Sequence, residues 1–254
     1  MKVEIDTDAK TLQVTGPDGV RSLPLYSDAA FEQISHLWKV VGWNQRYTYT
    51  FTWAGRPIIQ MPEDLLRIQE VIWTLKPDVI IETGVAHGGS LVFYAGLLEL
   101  IGRGRVIGVD IEIRPHNRQA IEAHSLKKRI DLIEGDSAAP ETLARVSDVA
   151  KGEKVLVILD SNHSKAHVAR ELRAYKSLVS VGSYLVVQDG VMIDLHEVPN
   201  GKANWATDNP VAAVEDFLRE ESGFELAPPA WLFNESTLTK PITYWPSAWL
   251  KRLR

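Results

Sequence analysis

Not one cysteine occurs among the 254 residues, which excludes disulfides, thiolate nucleophiles, zinc–thiolate sites and iron–sulfur clusters. No run of about 18 apolar residues occurs either, so no transmembrane helix is expected. Basic charge is not in excess: 28 Lys and Arg stand against 33 Asp and Glu, a formal net charge of -5. That balance argues against a general polyanion-binding surface, so neither nucleic acid nor a membrane is an expected partner. The opening residues Lys2–Asp6 alternate charge and apolarity and do not form the apolar core of a secretion signal, and a cytoplasmic protein is expected. There is no internal repeat and no low-complexity stretch. What is present is ordinary for a soluble globular chain: 45% hydrophobic residues, 24% charged, 17 Gly and 13 Pro, with length enough for a substantial core.

Residues 1–60 read as an appendage and 61–254 as the main domain. Lys2–Asp6 and Thr11–Thr15 alternate like short strands, and Gly16-Pro17-Asp18-Gly19 is turn chemistry. Ser27-Asp28 caps a helix whose apolar positions Phe31, Ile34, Leu37, Trp38 and Val41 follow helical spacing. The aromatic segment Trp43–Ile59 packs on the main domain or walls an acceptor pocket, and the whole appendage serves as a lid or an oligomerisation element.

From Pro62 the pattern becomes a regular alternation. Helices are expected at Pro62–Leu75, Ser90–Ile101, from Pro115, at Glu141–Ala150, Lys165–Val181 and Val211–Glu220. Apolar strand runs lie between them at Asp78–Glu82, Arg105–Asp110, Ile130–Glu134, Lys154–Leu159 and Ser183–Gln188. This is an α/β chain with a Rossmann-like, mostly parallel central sheet covered by helices on both faces. The Pro- and Trp-rich tail beyond residue 220 has no clear place.

In such a sheet, ligands bind beyond the carboxyl ends of the strands. The first strand runs into Glu82-Thr83-Gly84-Val85-Ala86-His87-Gly88-Gly89-Ser90, where Gly84 accepts unusual backbone angles and Gly88 and Gly89 allow close approach to a ligand. Asp110 ends the second strand, placed to accept ribose hydroxyls, and Asp136 follows the third, placed for an adenine edge. These features fit an adenosine-type cofactor. Glu82 favours S-adenosylmethionine over NAD, because a carboxylate attracts the methionyl ammonium and repels a pyrophosphate.

Asp160 and Asp189 end the fourth and fifth strands, and as neighbours they would either hold a hard divalent cation or cap helices. His163 is a proton acceptor by residue type, or a solvent-facing turn residue. His163 and His167 stand four residues apart, without the H-E-x-x-H pattern of a zinc helix.

Several strings together resemble one family: Trp53-Ala54-Gly55-Arg56-Pro57-Ile58, Gln60-Met61-Pro62, Pro77-Asp78-Val79-Ile80-Ile81-Glu82-Thr83-Gly84, Gly88-Gly89-Ser90, Asp110-Ile111-Glu112-Ile113-Arg114-Pro115-His116-Asn117, Asp160-Ser161-Asn162-His163-Ser164 and Gly182-Ser183-Tyr184-Leu185-Val186-Val187. Spanning about Trp53 to Asp189, they are similar to the cephalosporin hydroxylase / rhamnosyl O-methyltransferase family, of class I S-adenosylmethionine-dependent methyltransferase fold. The resemblance implies that Glu82, Gly84 and Ser90 bind the methionyl part of the cofactor, Asp110 the ribose, and Asp136 with Ser137 the adenine. It implies a divalent cation, Mg²⁺ or similar, on Asp160, Gln188 and Asp189, with His163 as general base. Position 188 is Gln where the family pattern has Glu, which removes one negative charge from the site.

The function implied is O-methylation of a small acceptor, a sugar of a natural product or glycan, by a homo-oligomeric enzyme. Two other readings stay open at this stage. One is an NAD-dependent oxidoreductase on a related sheet, disfavoured by the missing G-x-G-x-x-G; the other is a non-catalytic cofactor-binding subunit, kept open by Gln188.

Overall fold

The computed structural model describes residues 2–150 and 154–254. At the amino end, β1 (Lys2–Asp6), β2 (Thr11–Gly16) and β3 (Gly19–Pro24) form an antiparallel sheet in that order. The third strand is not evident from the sequence, because Gly19-Val20-Arg21-Ser22 carries almost no apolar alternation; pairing with β2 defines it. This sheet has a small core of its own, Leu12, Val14 and Ala30. Helix α1 (Asp28–Asn44) follows, with Ser27 Oγ accepting the Ala30 N–H at 3.3 Å. The aromatic segment then makes a two-residue ladder, β4 (Thr52–Trp53) with β5 (Arg56–Pro57), and leads Ile58 and Met61 into the main core.

The main domain continues with α2 (Pro62–Leu75), β6 (Val79–Thr83), α3 (Gly89–Ile101), β7 (Arg105–Asp110), α4 (Pro115–Glu122) and β8 (Ile130–Glu134). After these come α5 (Pro140–Val149), β9 (Val155–Leu159), α6 (Lys165–Tyr175), β10 (Tyr184–Val187), α7 (Pro210–Glu220), β11 (Phe224–Leu226) and β12 (Trp249–Arg252). Proline begins α2, α4, α5 and α7, where its missing N–H is no loss and its fixed φ suits the first turn.

The seven-stranded sheet runs β11-β12-β10-β9-β6-β7-β8. Five strands are parallel; β12 lies antiparallel to β10, and β11 antiparallel to β12. The central strands β6 and β9 are buried along their whole length because both faces are covered. Alternate residues sort between the two faces: Ile80, Leu156 and Ile158 join the core that contains α2 and α3, while Val79, Ile81, Val155, Val157 and Leu159 join the core that contains α6 and α7.

Two expectations are corrected. The helix expected over 165–181 ends at Tyr175, because Ser180 pairs with the start of β9, its N–H donating to Val155 O at 3.2 Å and its Oγ accepting the Val155 N–H at 2.9 Å. The unplaced tail supplies the two antiparallel edge strands, too short at three and four residues for any periodic signal. Strand order reverses between β9 and β7 on either side of β6, so the crevice beyond the ends of β6 and β9 is where this topology binds ligands.

Candidate functional site

Beyond β6 the chain turns sharply at Gly84, whose φ is +91°. A Cβ there would come within 1.9 Å of the Asp160 carbonyl oxygen. Gly84 thus lets the β6 and β9 loops touch. Gly88 and Gly89 are also packed closely inside the protein. A Cβ at Gly88, whose φ is +78°, would meet the Ile121 side chain at 2.4 Å, and one at Gly89 the Pro57 carbonyl at 2.1 Å. The turn is fastened from outside by the motif residues Arg56 and Asn117. Arg56 Nε donates to His87 O at 3.0 Å, and Asn117 Nδ2 donates to Ala86 O at 2.9 Å.

Asp110 accepts the N–H groups of Val85 at 2.8 Å and Ala86 at 3.3 Å on Oδ2, which ties the end of β7 to the glycine turn. Glu82 is wholly buried; its Oε2 accepts from Ser90 Oγ at 2.5 Å, while Oε1 has no partner. Burial pushes the Glu82 carboxyl up to about 8, against the lowering effect of Ser90. Gln60, from the segment before α2, buries a second unpartnered acceptor, Oε1. Buried acceptors without donors are costly; the Tyr94 hydroxyl, buried beside both, and a cationic amine are donors of the kind that would satisfy them.

At the adjoining strand ends, Asp160, His163 and Asp189 each offer one ligand atom, all within 4.8 Å of one another. His163 Nε2 lies 3.2 Å from Asp189 Oδ2. Burial, then the neighbouring Asp189 and Glu82, hold the Asp160 carboxyl well above the usual carboxylate range. Such crowding of negative charge fits a cation. Gln188, expected as an oxygen ligand, lies beside Asp160 with its side-chain amide. With the nitrogen turned to Asp160 the amide donates to Oδ2 at 2.9 Å and its oxygen accepts from Gln60 Nε2 at 3.3 Å. An amide spent in this way buttresses Asp160.

A cavity of about 370 Å³ opens over these strand ends, lined by Gly84, Asp110, Asp136, Ser137 and Asp160 among others. Glu82, Gly88 and Ser90 are not among its lining residues; Ser90 reaches Glu82 from below. A second cavity of about 590 Å³ adjoins it, sharing Ser161 and Asn162, and carries His163, Asp189, Trp43, Tyr49, Lys202 and Trp205. Trp43 and Trp205 meet edge to face at 5.5 Å. Of the aromatic residues, Trp43, Tyr49 and Trp205 therefore reach the site, whereas Trp53 packs on Phe93 and Trp231 lies on Arg67. His167 does not share a metal group with His163; it lines the first cavity and bonds to Ser161 at 3.1 Å.

Against known proteins, residues 45–253 match the family model described as Rhamnosyl O-methyltransferase/CmcI. The chain belongs to that family. It is 32% identical to the rhamnosyl O-methyltransferase of Mycobacterium leprae over 178 residues, 68% of this chain and 73% of that one. Identity to the Mycobacterium tuberculosis H37Rv protein of the same name is also 32%, over 64% of each chain. Among solved structures, the Mg-SAM form of CmcI superposes with a TM-score of 0.54 at 18% identity, covering 81% of this chain and 78% of that one. A putative caffeoyl-CoA O-methyltransferase from Staphylococcus aureus gives 0.53 at 16% identity, over 78% and 85%. The fold is that of the class I S-adenosylmethionine-dependent methyltransferases.

Nothing in the sequence assigns a cofactor-site role to Gln60, His167, Arg170 or Glu171. The last three share a face of α6 at helical spacing, but nothing in that spacing tells which loops the face will meet.

Proposed function

We propose that this chain transfers a methyl group from S-adenosylmethionine to a hydroxyl of a sugar ring, on a small glycoside acceptor, with a divalent cation. The single observation that carries this reading is the meeting of two cavities at the Asp160–His163–Asp189 group, through the shared Ser161 and Asn162. One cavity suits an adenosine-type cofactor; the other is walled by aromatic and polar side chains of the kind that bind sugars.

When bound, S-adenosylmethionine supplies a methyl made electrophilic by positive sulfur, and a divalent cation such as Mg²⁺ supplies Lewis acidity toward the acceptor oxygen. Asp110 would hold the ribose hydroxyls, and Asp136 and Ser137 the adenine end. Glu82, backed by Ser90, would balance the methionyl ammonium, with Gly84 shaping the turn beneath it. Asp160 and Asp189 would hold the cation, with Gln188 fixing the Asp160 carboxylate. His163 receives the acceptor's proton. With Nε2–H donated to Asp189, its Nδ1 is the basic nitrogen, and Asp189 steadies the imidazolium that results. Trp43, Tyr49 and Trp205 exclude water and align the sugar, and alignment alone is worth roughly 7–11 kcal/mol in favourable cases.

Residues 1–60 are part of the same reading, as an appendage that serves a homo-oligomer. Of the 17 residues of α1 only Ala30 is buried, while Phe31, Trp38 and Val41 are exposed. Light scattering on the purified chain tests this, and a monomer would refute it.

The test of the activity is methyl transfer from labelled S-adenosylmethionine to rhamnosyl glycosides, with and without EDTA. Labelled glycoside that EDTA suppresses and Mg²⁺ restores is expected. Transfer to no glycoside in a broad panel, despite cofactor binding, would refute the acceptor class; transfer unaffected by EDTA would refute the cation.

A further inference from the structure

Helix α6 places His167, Arg170 and Glu171 along one face, and this face closes one end of the 370 Å³ cavity. Glu171 is wholly buried, and its Oε1 accepts from Ser137 Oγ at 2.5 Å and from Ser161 Oγ at 2.7 Å. One carboxylate thereby fixes the loops after β8 and β9 to the same helix. His167 sits above it, with Nε2 at 3.1 Å from Ser161 Oγ, 3.3 Å from Ser137 Oγ and 3.4 Å from Glu171 Oε1. Arg170 Nη2 lies 2.9 Å from His167 Nδ1. A guanidinium only donates, so Nδ1 is the accepting nitrogen and the ring proton sits on Nε2, facing the serines and Glu171.

The guanidinium of Arg170 is therefore held from two sides, by His167 and, at 3.6 Å, by Asp136 Oδ2. Asp136 is itself oriented, with Oδ1 accepting the Ala138 N–H at 3.0 Å. Arg170 and Asp136 both line the cavity. The result is a fixed donor beside a fixed acceptor at the cavity's rim. Adenine offers the converse along one edge, an exocyclic amine that donates beside a ring nitrogen that accepts.

We propose that Arg170 is a base-reading residue of this enzyme, donating to a ring nitrogen of adenine while Asp136 accepts from the exocyclic amine, with His167 and Glu171 as the positioning residues that hold the pair. This rests on the cofactor reading above and extends it to a side chain outside the family's expected set. More than half of the Arg170 side chain is exposed, so replacing it leaves the core untouched.

Calorimetric titration of the full chain with three probes tests the proposal: S-adenosylhomocysteine, S-inosylhomocysteine and the 7-deaza analogue of S-adenosylhomocysteine. Arg170→Ala should weaken S-adenosylhomocysteine about tenfold or more, the loss typical of one charge-assisted hydrogen bond. The loss should vanish for whichever analogue lacks the accepting nitrogen that Arg170 meets: the inosyl compound, whose N1 carries a proton and donates, if it is N1, and the 7-deaza compound if it is N7. Arg170→Gln, which keeps a donor, should recover part of the affinity. Binding of S-adenosylhomocysteine within twofold of wild type in Arg170→Ala would overturn the proposal, as would an equal loss for all three probes. A wild-type chain that binds no S-adenosylhomocysteine would instead sink the cofactor reading, and the proposal with it.

Discussion

Replacing Asp110 separates the two duties that the structure gives this carboxylate. Its Oδ2 accepts from Val85 and Ala86 N–H, which holds the glycine turn, and the same carboxylate faces the cofactor-sized cavity. Asp110→Asn retains one oxygen for the Val85 N–H, so stability should fall by no more than about 1 kcal/mol. Ribose binding suffers more. Two hydroxyls donating to a charged carboxylate contribute about 1.5–3 kcal/mol each, so losing the charge and one acceptor should weaken S-adenosylhomocysteine by about 100-fold. Asp110→Ala should lose that affinity and also release the turn, with a further stability loss of about 1–2 kcal/mol from the stranded N–H groups. Calorimetry with S-adenosylhomocysteine reads the first effect and urea unfolding the second. Asp110→Asn that binds within threefold of wild type would show that Asp110 only braces the turn, and the placement of the ribose would be wrong.

Three further outcomes are expected. His163→Ala should lower turnover at least about 100-fold while S-adenosylhomocysteine affinity stays unchanged; near-normal turnover would return His163 to a structural role. Gly84→Ala should cost at least about 3 kcal/mol in urea unfolding, because its φ is +91° and the new Cβ would meet Asp160 O at 1.9 Å; a loss below about 1 kcal/mol would contradict the packing described. Asp64, buried under the Thr243–Tyr244 turn and accepting the Tyr244 N–H at 2.8 Å, is raised by burial from 3.8 to about 7. The folded state then holds this proton where the unfolded chain has lost it. Asp64 thus contributes stability that is complete below pH 3.8 and disappears as pH rises through about 7, at most about 4 kcal/mol in all. Urea midpoints should fall from pH 5 to pH 8 more steeply in wild type than in Asp64→Asn, and parallel profiles would refute the assignment.

Much of this protein is legible in its linear order, because its main signals are local. Five apolar runs of strand length alternate with helical periodicities, and Pro62 and Pro115 mark two of the helix starts. Each needs only neighbours within a few residues to express itself. Residues at strand ends then follow from topology, which is why Gly84, Asp110, Asp136, Asp160 and Asp189 could be named before any coordinates, and why all five fall around the two adjoining cavities.

Other features depended on partners distant in the chain. Strands β11 and β12 exist because residues far apart close the sheet edge. Gly89 is glycine because the Pro57 carbonyl lies where a Cβ would stand. Gln188 comes within hydrogen-bond reach of Asp160, and of Gln60 128 residues earlier, only in the folded chain. The α6 face reads as three polar residues at helical spacing, and only packing shows that it joins two loops and presents Arg170 beside Asp136. Local periodicity decides what an element is; the contact that decides what a side chain is for comes from another part of the chain, and exists only once the sheet has closed.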